Sequence, residues 1–534
     1  MKSSIFLKNR NPYYWIAGVS LLIYLQTLFF GFIYLDDNVL ILDNFRYLND
    51  LSNTGKIFFQ GAFNLPYTAD TFYRPALILS LMLDIKVSGQ LPIAYHLTNS
   101  LLHITSTILF FVLGQKLGYK KSWTLFFALF FAAHPVLSQT VAWIPARNDS
   151  LLTVFVLASL ICFLNFLKTP NKKFLFWHLF FFLFGLFTKE SAMGLIFLAS
   201  FLTISKPKKI LKIAPYWIGI IIIWATLRHF ALINGLGIAD HNIVPTILKN
   251  FFPVNLDFLG KIFFPFDLRV IADIESLNIW PGLATLVLIT AGLYWTKKFN
   301  WRIVIFGALF FGGFLFPSIA FSDFLILDNR IYLPMIGILI ILLEIFKNKE
   351  FNKICFYTGT GILLTFATMA FIQTRNFRNR IIFWEQAVID APNLALAHGN
   401  MGSMYLLDGR LDEAQVEYEK CLKLNPLERM IHNNLALIYK QRKQFNIAEQ
   451  LFLQEIKINP KYDASYFNLA NVYHETGKIQ KAIEYWEKTL EKNPEYINAY
   501  KNLAGYYYKT KDMEKVTYYI NELKKRGIKV PPLK

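Results

Sequence analysis

Residues 463–496 read DASYFNLANVYHETGKIQKAIEYWEKTLEKNPEY, and the same pattern stands in register on both sides of them. Pro494 follows Asn493. Pro392, Pro426 and Pro460 stand upstream at steps of 34 residues, the last two preceded by Asn425 and Asn459. Tyr405, Tyr439, Tyr473 and Tyr507 recur at that step. So do Ala414, Ala448 and Ala482, with Val516 in the fourth register, and Tyr418, Phe452 and Trp486, followed by Ile520. Small residues let two helices approach, and aromatics fill the gap to the next pair. A unit of this size cannot bury its apolar face alone, so such units must stack.

A period of 34 with this interior is that of the tetratricopeptide repeat, two helices per unit. We expect repeats over 395–428, 429–462, 463–496 and 497–530. A half repeat over 380–394, carrying Trp384, Ala387 and Pro392, would join them to what precedes, the whole array occupying 374–534. Tyr405, Tyr439 and Tyr473 are expected to be buried between helices. The array reads as a binding surface or a spacer, and its sequence does not name the ligand.

Upstream, residues 1–373 differ in kind. The chain of 534 residues is 54% hydrophobic and 17% aromatic, with 52 Phe. That load is unusual for a soluble protein and suggests more than one domain. Spanning a bilayer takes roughly 20 apolar residues. About eleven runs approach that length, near 13–34, 93–115, 122–138, 150–167, 174–188, 190–205, 213–232, 279–296, 303–321, 331–346 and 354–373. The expected fold class is therefore all-α, a polytopic membrane helix bundle followed by a helical solenoid. The first run is longer than a secretory h-region and lacks an Ala-x-Ala-like site, so it reads as an uncleaved span. The stretch 233–278 reads as a long outer loop with an apolar, re-entrant or interfacial part near 251–266.

The formal net charge of +19 could point to nucleic acid. Its distribution argues against that partner. Lys2, Lys8 and Arg10 precede the first run, and Lys116, Lys120 and Lys121 follow the second. Lys168, Lys172 and Lys173, then Lys206, Lys208, Lys209 and Lys212, then Lys297, Lys298 and Arg302, then Lys347, Lys349 and Lys353 follow alternate runs thereafter. Every second connection is thus short and basic, which marks the cytoplasmic side. The N-terminus is expected in the cytoplasm and the repeats outside. The abundance of Phe, Ile, Lys and Asn suggests an AT-rich bacterial genome, hence an inner membrane with a periplasmic array. Cys162, Cys355 and Cys421 lie far apart and form no metal-type spacing.

Chemistry-bearing residues gather in the other set of connections. Asp36 and Asp37 follow the first run. Adjacent carboxylates can hold a divalent metal, act as a general base or cap the next helix. No motif demands a cofactor, and metal dependence stays open. Arg74 precedes the second run, within which His96, Asn99 and His103 fall near one helical face. His134-Pro135 ends the third, and Arg147 and Asp149 open the fourth. Lys189 and Glu190 separate the fifth from the sixth. The fifth run is short, so these two can lie below the surface in a polar cavity, where ionisable groups are costly and usually functional. Asp323 and then Asp328 and Arg330 precede the tenth. Arginine and lysine there would clamp a lipid-borne phosphate, and a carboxylate would activate an acceptor. The bland readings are a helix stop at His134, hydrogen-bonded bundle histidines at 96 and 103, and a local ion pair at 328–330.

These pieces resemble the eukaryotic transmembrane-and-tetratricopeptide-repeat O-mannosyltransferases and their bacterial relatives, of the GT-C class of polytopic glycosyltransferases. The matching pieces are Tyr34-Leu35-Asp36-Asp37-Asn38, Tyr73-Arg74-Pro75, the run from Tyr95 to His103, Phe131 to Val136, Val141 to Ile144 with Arg147 and Asp149, Thr188 to Ala192, and Asp328 to Pro334. The resemblance implies a polyprenyl- or dolichyl-phosphate sugar donor, with mannose the candidate sugar, and an inverting transfer. It places Asp36 and Asp37 at the catalytic centre. Arg74, Arg147, Lys189 and Arg330 would hold the donor phosphate, with His96, His103, His134, Asp149, Glu190 and Asp328 elsewhere in the cavity. The sequence departs from the family at Pro145-Ala146, where relatives carry Gly before the Arg, and its array is shorter than in the eukaryotic members.

The expected function is transfer of a sugar to a hydroxyl of a protein acceptor, bound in part by the repeats. The alternatives are transfer to a glycan or lipid acceptor, and a non-enzymatic membrane-anchored scaffold. A scaffold gives acids and bases no reason to collect at one face of the bundle.

Overall fold

The computed structural model describes residues 10–63, 72–205, 207–232, 243–296, 298–320 and 325–528, the side chains of 243–248 and 318–320 excepted. Lys2, Lys8, Lys206, Lys297 and Asp323 lie outside the described residues. Regular structure among those described is helical, apart from one isolated antiparallel bridge between Ala272 and Ile326. The chain divides into two compact units, Met1–Ala391 and Pro392–Lys534.

The first unit carries α1 (Asn11–Tyr24), α2 (Phe45–Asn49), α3 (Pro75–Ser88), α4 (Ile93–Lys116), α5 (Lys121–Ala133), α6 (Ser138–Ala142), α7 (Arg147–Lys168) and α8 (Lys172–Thr188). It continues with α9 (Gly194–Thr203), α10 (Pro207–Leu232), α11 (Ile243–Phe263), α12 (Trp280–Thr296), α13 (Trp301–Ala320), α14 (Met335–Phe346), α15 (Lys353–Thr374) and α16 (Arg380–Asp390). Start signals sit where physics wants them. Proline occupies the first turn of α1 and α3, where its missing N–H costs nothing. Asn171, Asn352 and Asn379 cap α8, α15 and α16 through their side chains.

Among the described residues, four helical segments are long and apolar enough to cross a membrane: Ile93–Lys116, Ile144–Lys168, Pro207–Leu232 and Lys353–Phe377. The pair Lys121–Ala133 and Pro135–Ala142, bent by 50°, makes a fifth if taken as one span. Pro207–Leu232 and Lys353–Phe377 bury little of their apolar surface inside the unit. Lipid is the solvent that such faces require, and the chain is a membrane protein. Each of the roughly eleven apolar runs contains a helix, yet several are too short to pass as a span. Breaks account for this. His134-Pro135 splits the third run, α1 tightens into a narrower turn at Leu25–Phe29, and α14 has only 12 residues.

The core of this unit is built from α4, α5, α7, α13 and α14, around Phe110, Phe131, Leu160, Phe310 and Leu339. Helices α13 and α14 touch backbone to backbone at Gly307 and Gly337, where a methyl group on Gly337 would overlap the Gly307 carbonyl. Helix α11 spans the apolar part of the stretch read as an outer loop, and its buried Lys261 has no counterpart in the sequence reading. Helix α16, expected as a half repeat, packs within this first unit.

The second unit is four helix pairs, α17 (Ala395–Leu407) with α18 (Leu411–Leu424), α19 (Ile431–Gln441) with α20 (Phe445–Ile458), α21 (Asp463–Glu475) with α22 (Ile479–Lys492), and α23 (Ile497–Lys509) with α24 (Met513–Lys525). Ala414, Ala448, Ala482 and Val516 are fully buried, as are Tyr418 and Phe452, with Trp486 nearly so. Tyr473 and Tyr507 are buried, but Tyr405 and Tyr439 are half-buried. Both reach polar partners instead: Arg410 lies 4.2 Å over the Tyr405 ring, and the Tyr439 hydroxyl accepts from Gln415. The turn inside each pair needs one left-handed residue. Gly409 and Gly477 supply it in the first and third pairs, and Lys443 (φ 59°) and Lys511 (φ 60°) in the second and fourth.

Candidate functional site

The loop after α1 is held in an unusual shape. Tyr34 (φ 62°) and Asp36 (φ 70°) both adopt left-handed backbone. For residues with a side chain this costs on the order of 1–3 kcal/mol each and persists only where the surroundings over-determine it. Asp37, buried, accepts the Ile33 N–H at 2.8 Å through Oδ2 and the Leu35 N–H at 3.1 Å through Oδ1. The Trp143 indole donates to Leu35 O at 2.8 Å, and the Trp384 indole to Ile33 O at 3.0 Å. Asp37 therefore faces inward, and Asp36 faces out.

What Asp36 faces is a cavity of about 1030 Å³, counting its open mouth. Its walls include Asp36, Arg74, Asn148, Asp149, Lys189, Glu190, Asn329 and Arg330, with Phe63, Phe72, Trp143 and Leu327 among the apolar lining. Asp36 is exposed to this space, and partial desolvation there raises its carboxylate pKa, while the Arg74 charge pulls it back down. Burial likewise pushes Asp37 up to about 7, against the two backbone N–H groups that it accepts.

The cations are arranged unequally. Lys189 is neutralised by Asp149 at 2.7 Å, and the second Asp149 oxygen accepts from Asn329 Nδ2 at 2.6 Å. Arg74 lies 4.4 Å over the Phe72 ring, and its buried Nε has no hydrogen-bond partner among the described residues. Burial first, and then the like charge of Arg74, lowers the pKa of Arg330 to about 10, against the pull of Asp149. At that value Arg330 remains a cation at neutral pH. Asn148 Oδ1 and Asn329 Oδ1 are also buried with no partner among the described residues. Buried polar atoms without partners are uncommon and call for an explanation.

Other residues singled out in the sequence stand elsewhere. Arg147 does not line the cavity. It is fully buried, with Asp84 at 2.6 Å, Asn99 at 2.7 Å, Tyr95 O at 2.8 Å and Ser80 at 3.1 Å. It ties α3, α4 and α7 together, and Pro145-Ala146 places it by forming a tight turn just before α7. His103 bonds the Tyr332 hydroxyl at 2.7 Å and Ala132 O at 3.1 Å inside the bundle. His134 accepts Val136 N–H at 3.3 Å and bonds Ile262 O at 2.9 Å, closing the break between α5 and α6. His96 is buried against Phe30.

Asp328 is buried on Lys261 at 2.8 Å, a lysine that also meets Asp257 at 2.9 Å. Burial still leaves the Asp328 pKa above the usual carboxylate range despite that lysine. Asp328 thus anchors the turn whose next two residues, Asn329 and Arg330, do line the cavity. Lys261 and Trp384 are the residues that sequence reading missed. A lysine buried in an apolar helix was the signal for the first. Among the described residues no group of three or more His, Cys, Asp or Glu side chains comes together as a metal site.

The first unit thus places carboxylates and arginines around one cavity, in a chain that also carries tetratricopeptide repeats. Tetratricopeptide repeat models match residues 395–426 and 464–496. The chain is similar to the protein O-mannosyl-transferases. It is 34% identical to the mouse protein O-mannosyl-transferase TMTC2 over 29% of this chain and 18% of that one, and the human TMTC2 matches equally. A Caenorhabditis elegans protein O-mannosyl-transferase is 21% identical over 66% of this chain and 54% of its own. The chain thus spans under a fifth of the length of the vertebrate relatives it matches and about half of the nematode one. Among solved structures it is similar to MamA, at 22% identity over 28% of this chain and 86% of that one, with a TM-score of 0.26.

Proposed function

We propose that the chain is a GT-C-type glycosyltransferase that moves a sugar, mannose by analogy with its relatives, from a polyprenyl-phosphate donor to a hydroxyl of a protein acceptor. The observation that carries this is the cavity, where Asp36 alone of the aspartate pair faces the same space as Arg74 and Arg330.

In this reading Asp36 takes the proton of the acceptor hydroxyl as that oxygen attacks the anomeric carbon. The bond from that carbon to the phosphate oxygen breaks, and the configuration inverts. General-base help of this kind is worth about 10²–10⁴ in rate. The phosphate leaves with its electron pair, and fixed cations meet the charge that develops on it. Arg74, whose Nε lacks a partner, and Arg330 are those cations. Lys189 is engaged by Asp149 and shapes the wall. Asn148 and Asn329 offer unpartnered carbonyl oxygens to sugar hydroxyls. The basic connections support a cytoplasmic N-terminus, which puts the cavity and the repeats on the outer side. The repeats then present the acceptor.

The experiment is direct. Purified protein in liposomes receives a polyprenyl-phosphate hexose labelled in the sugar, together with an acceptor protein rich in Ser and Thr. Label is expected to move to hydroxyl groups of the protein. Label that stays on the lipid across several such donors and acceptors would oppose the reading.

A further inference from the structure

The Asp36 loop is held from a helix that the repeat pattern had assigned to the array. Helix α16 follows the last apolar helix and ends two residues before Pro392. Trp384, on α16, is fully buried, and its indole N–H donates to Ile33 O at 3.0 Å. Two further contacts come from the start of α16: Arg378 O, just before the helix, accepts Gly31 N–H at 2.8 Å, and the guanidinium of Arg380, its first residue, lies 5.3 Å over the Tyr34 ring.

The same helix reaches the opposite wall. Asp390 accepts the Val270 N–H at 2.7 Å, Val270 O accepts from Gln139 at 3.0 Å, and Gln139 accepts the Asn329 N–H at 3.1 Å. Helix α16 therefore touches the backbone on the carboxylate side of the cavity and, through two residues, the backbone next to Arg330.

We propose that Trp384 is a positioning residue for transfer, holding Ile33 so that the left-handed Tyr34 and Asp36 present the Asp36 carboxylate to the cavity. This rests on the reading of Asp36 as the base. Left-handed backbone at a residue with a side chain relaxes when its tethers go. Asp37 fixes the N–H groups of Ile33 and Leu35, Trp143 fixes Leu35 O, and among the described residues Trp384 is the one donor to Ile33 O. Without that bond the Ile33–Tyr34 peptide can turn and carry Asp36 away from the acceptor. Misplacement of a reacting group by about 1 Å can cost 10²-fold in rate. Donor binding, made by the arginines, is untouched.

The test uses the full-length protein in liposomes. Trp384→Phe keeps an aromatic ring and removes the N–H. A second variant carries 3-benzothienylalanine at 384, which keeps the indole shape and replaces N–H by sulfur. Both are expected to lower kcat by roughly 10- to 100-fold, with KM for the polyprenyl-phosphate sugar within twofold and the thermal midpoint near wild type. A folded benzothienyl variant with wild-type kcat overturns the proposal, as does a loss confined to KM. Asp36→Asn run in parallel separates the two readings. If it abolishes turnover while the Trp384 variants turn over normally, only this inference fails. If it keeps full turnover, the assignment of the base fails.

Discussion

The Asp37 carboxylate accepts the Ile33 N–H at 2.8 Å and thereby decides between two adjacent aspartates. A carboxylate committed to two backbone N–H groups of its own loop is a structural staple. Its neighbour, one residue earlier and in left-handed backbone, is left to face the cavity. Replacing Asp37 by Ala strands both N–H groups, at roughly 1–3 kcal/mol for each buried donor left without an acceptor. Asp37→Ala is therefore expected to lower the thermal midpoint of the detergent-solubilised protein and to speed protease cleavage near residue 35. A midpoint equal to wild type would show that the staple carries no energy.

Arg147 is predicted to matter for folding and not for donor binding. It is fully buried against Asp84 with three further hydrogen bonds. Removing one partner of a buried pair leaves the other uncompensated, at about 3–5 kcal/mol. Arg147→Met should lose most folded protein. Arg147→Met combined with Asp84→Leu should recover much of it, with an unchanged KM for the lipid-phosphate sugar. A folded Arg147→Met variant with a strongly raised KM would return Arg147 to the donor site.

The acid limb of turnover should report Asp36. A base works only when deprotonated, and the Asp36 pKa is raised by partial desolvation at the cavity and lowered by Arg74. Activity at saturating donor should thus fall on acidification at a pH above the ordinary aspartate value of about 3.9. Arg74→Gln removes the lowering charge, so the limb should move to higher pH. A limb that stays in place, or moves down, would separate Arg74 from Asp36.

Part of the candidate cavity's lining was legible because chemistry-bearing residues gather in the connections that are not basic. Asp36, Arg74, Asp149, Lys189, Glu190 and Arg330 do line one cavity. What sequence could not supply is which way a side chain points once it is there. His96 and His103 share a helical face, and that face looks into the bundle. Arg147 and Asp149 are two residues apart, and only the second reaches the cavity. Trp384 was read as part of a repeat because its period fits, while a single hydrogen bond to Ile33, 351 positions away, sets its role. Lys261 stands out as a lysine in an apolar helix, but its partner is not legible, since Asp328 is 67 residues distant.

The array offers an independent check on the reading of its turns. Lys443 occupies, in left-handed backbone, the register that Gly409 and Gly477 fill. A left-handed residue with a Cβ costs about 1–2 kcal/mol, partly offset by the extra chain entropy that a glycine gives up on folding. Lys443→Gly should therefore slow amide exchange in 431–458 of the full-length protein by a few-fold, and Gly477→Ala should speed it in 463–492. Equal exchange in both variants would remove this turn from the account.

The central claim is that Asp36 is the base for sugar transfer, and one comparison tests it most directly. Wild-type protein and Asp36→Asn, which keeps the size and removes the charge, are reconstituted at equal folded amounts. Turnover is then measured from a saturating polyprenyl-phosphate hexose to an acceptor protein. The account predicts that Asp36→Asn binds donor with unchanged KM and loses about 10²–10⁴ in kcat. An Asp36→Asn protein that transfers sugar at the wild-type rate would contradict it.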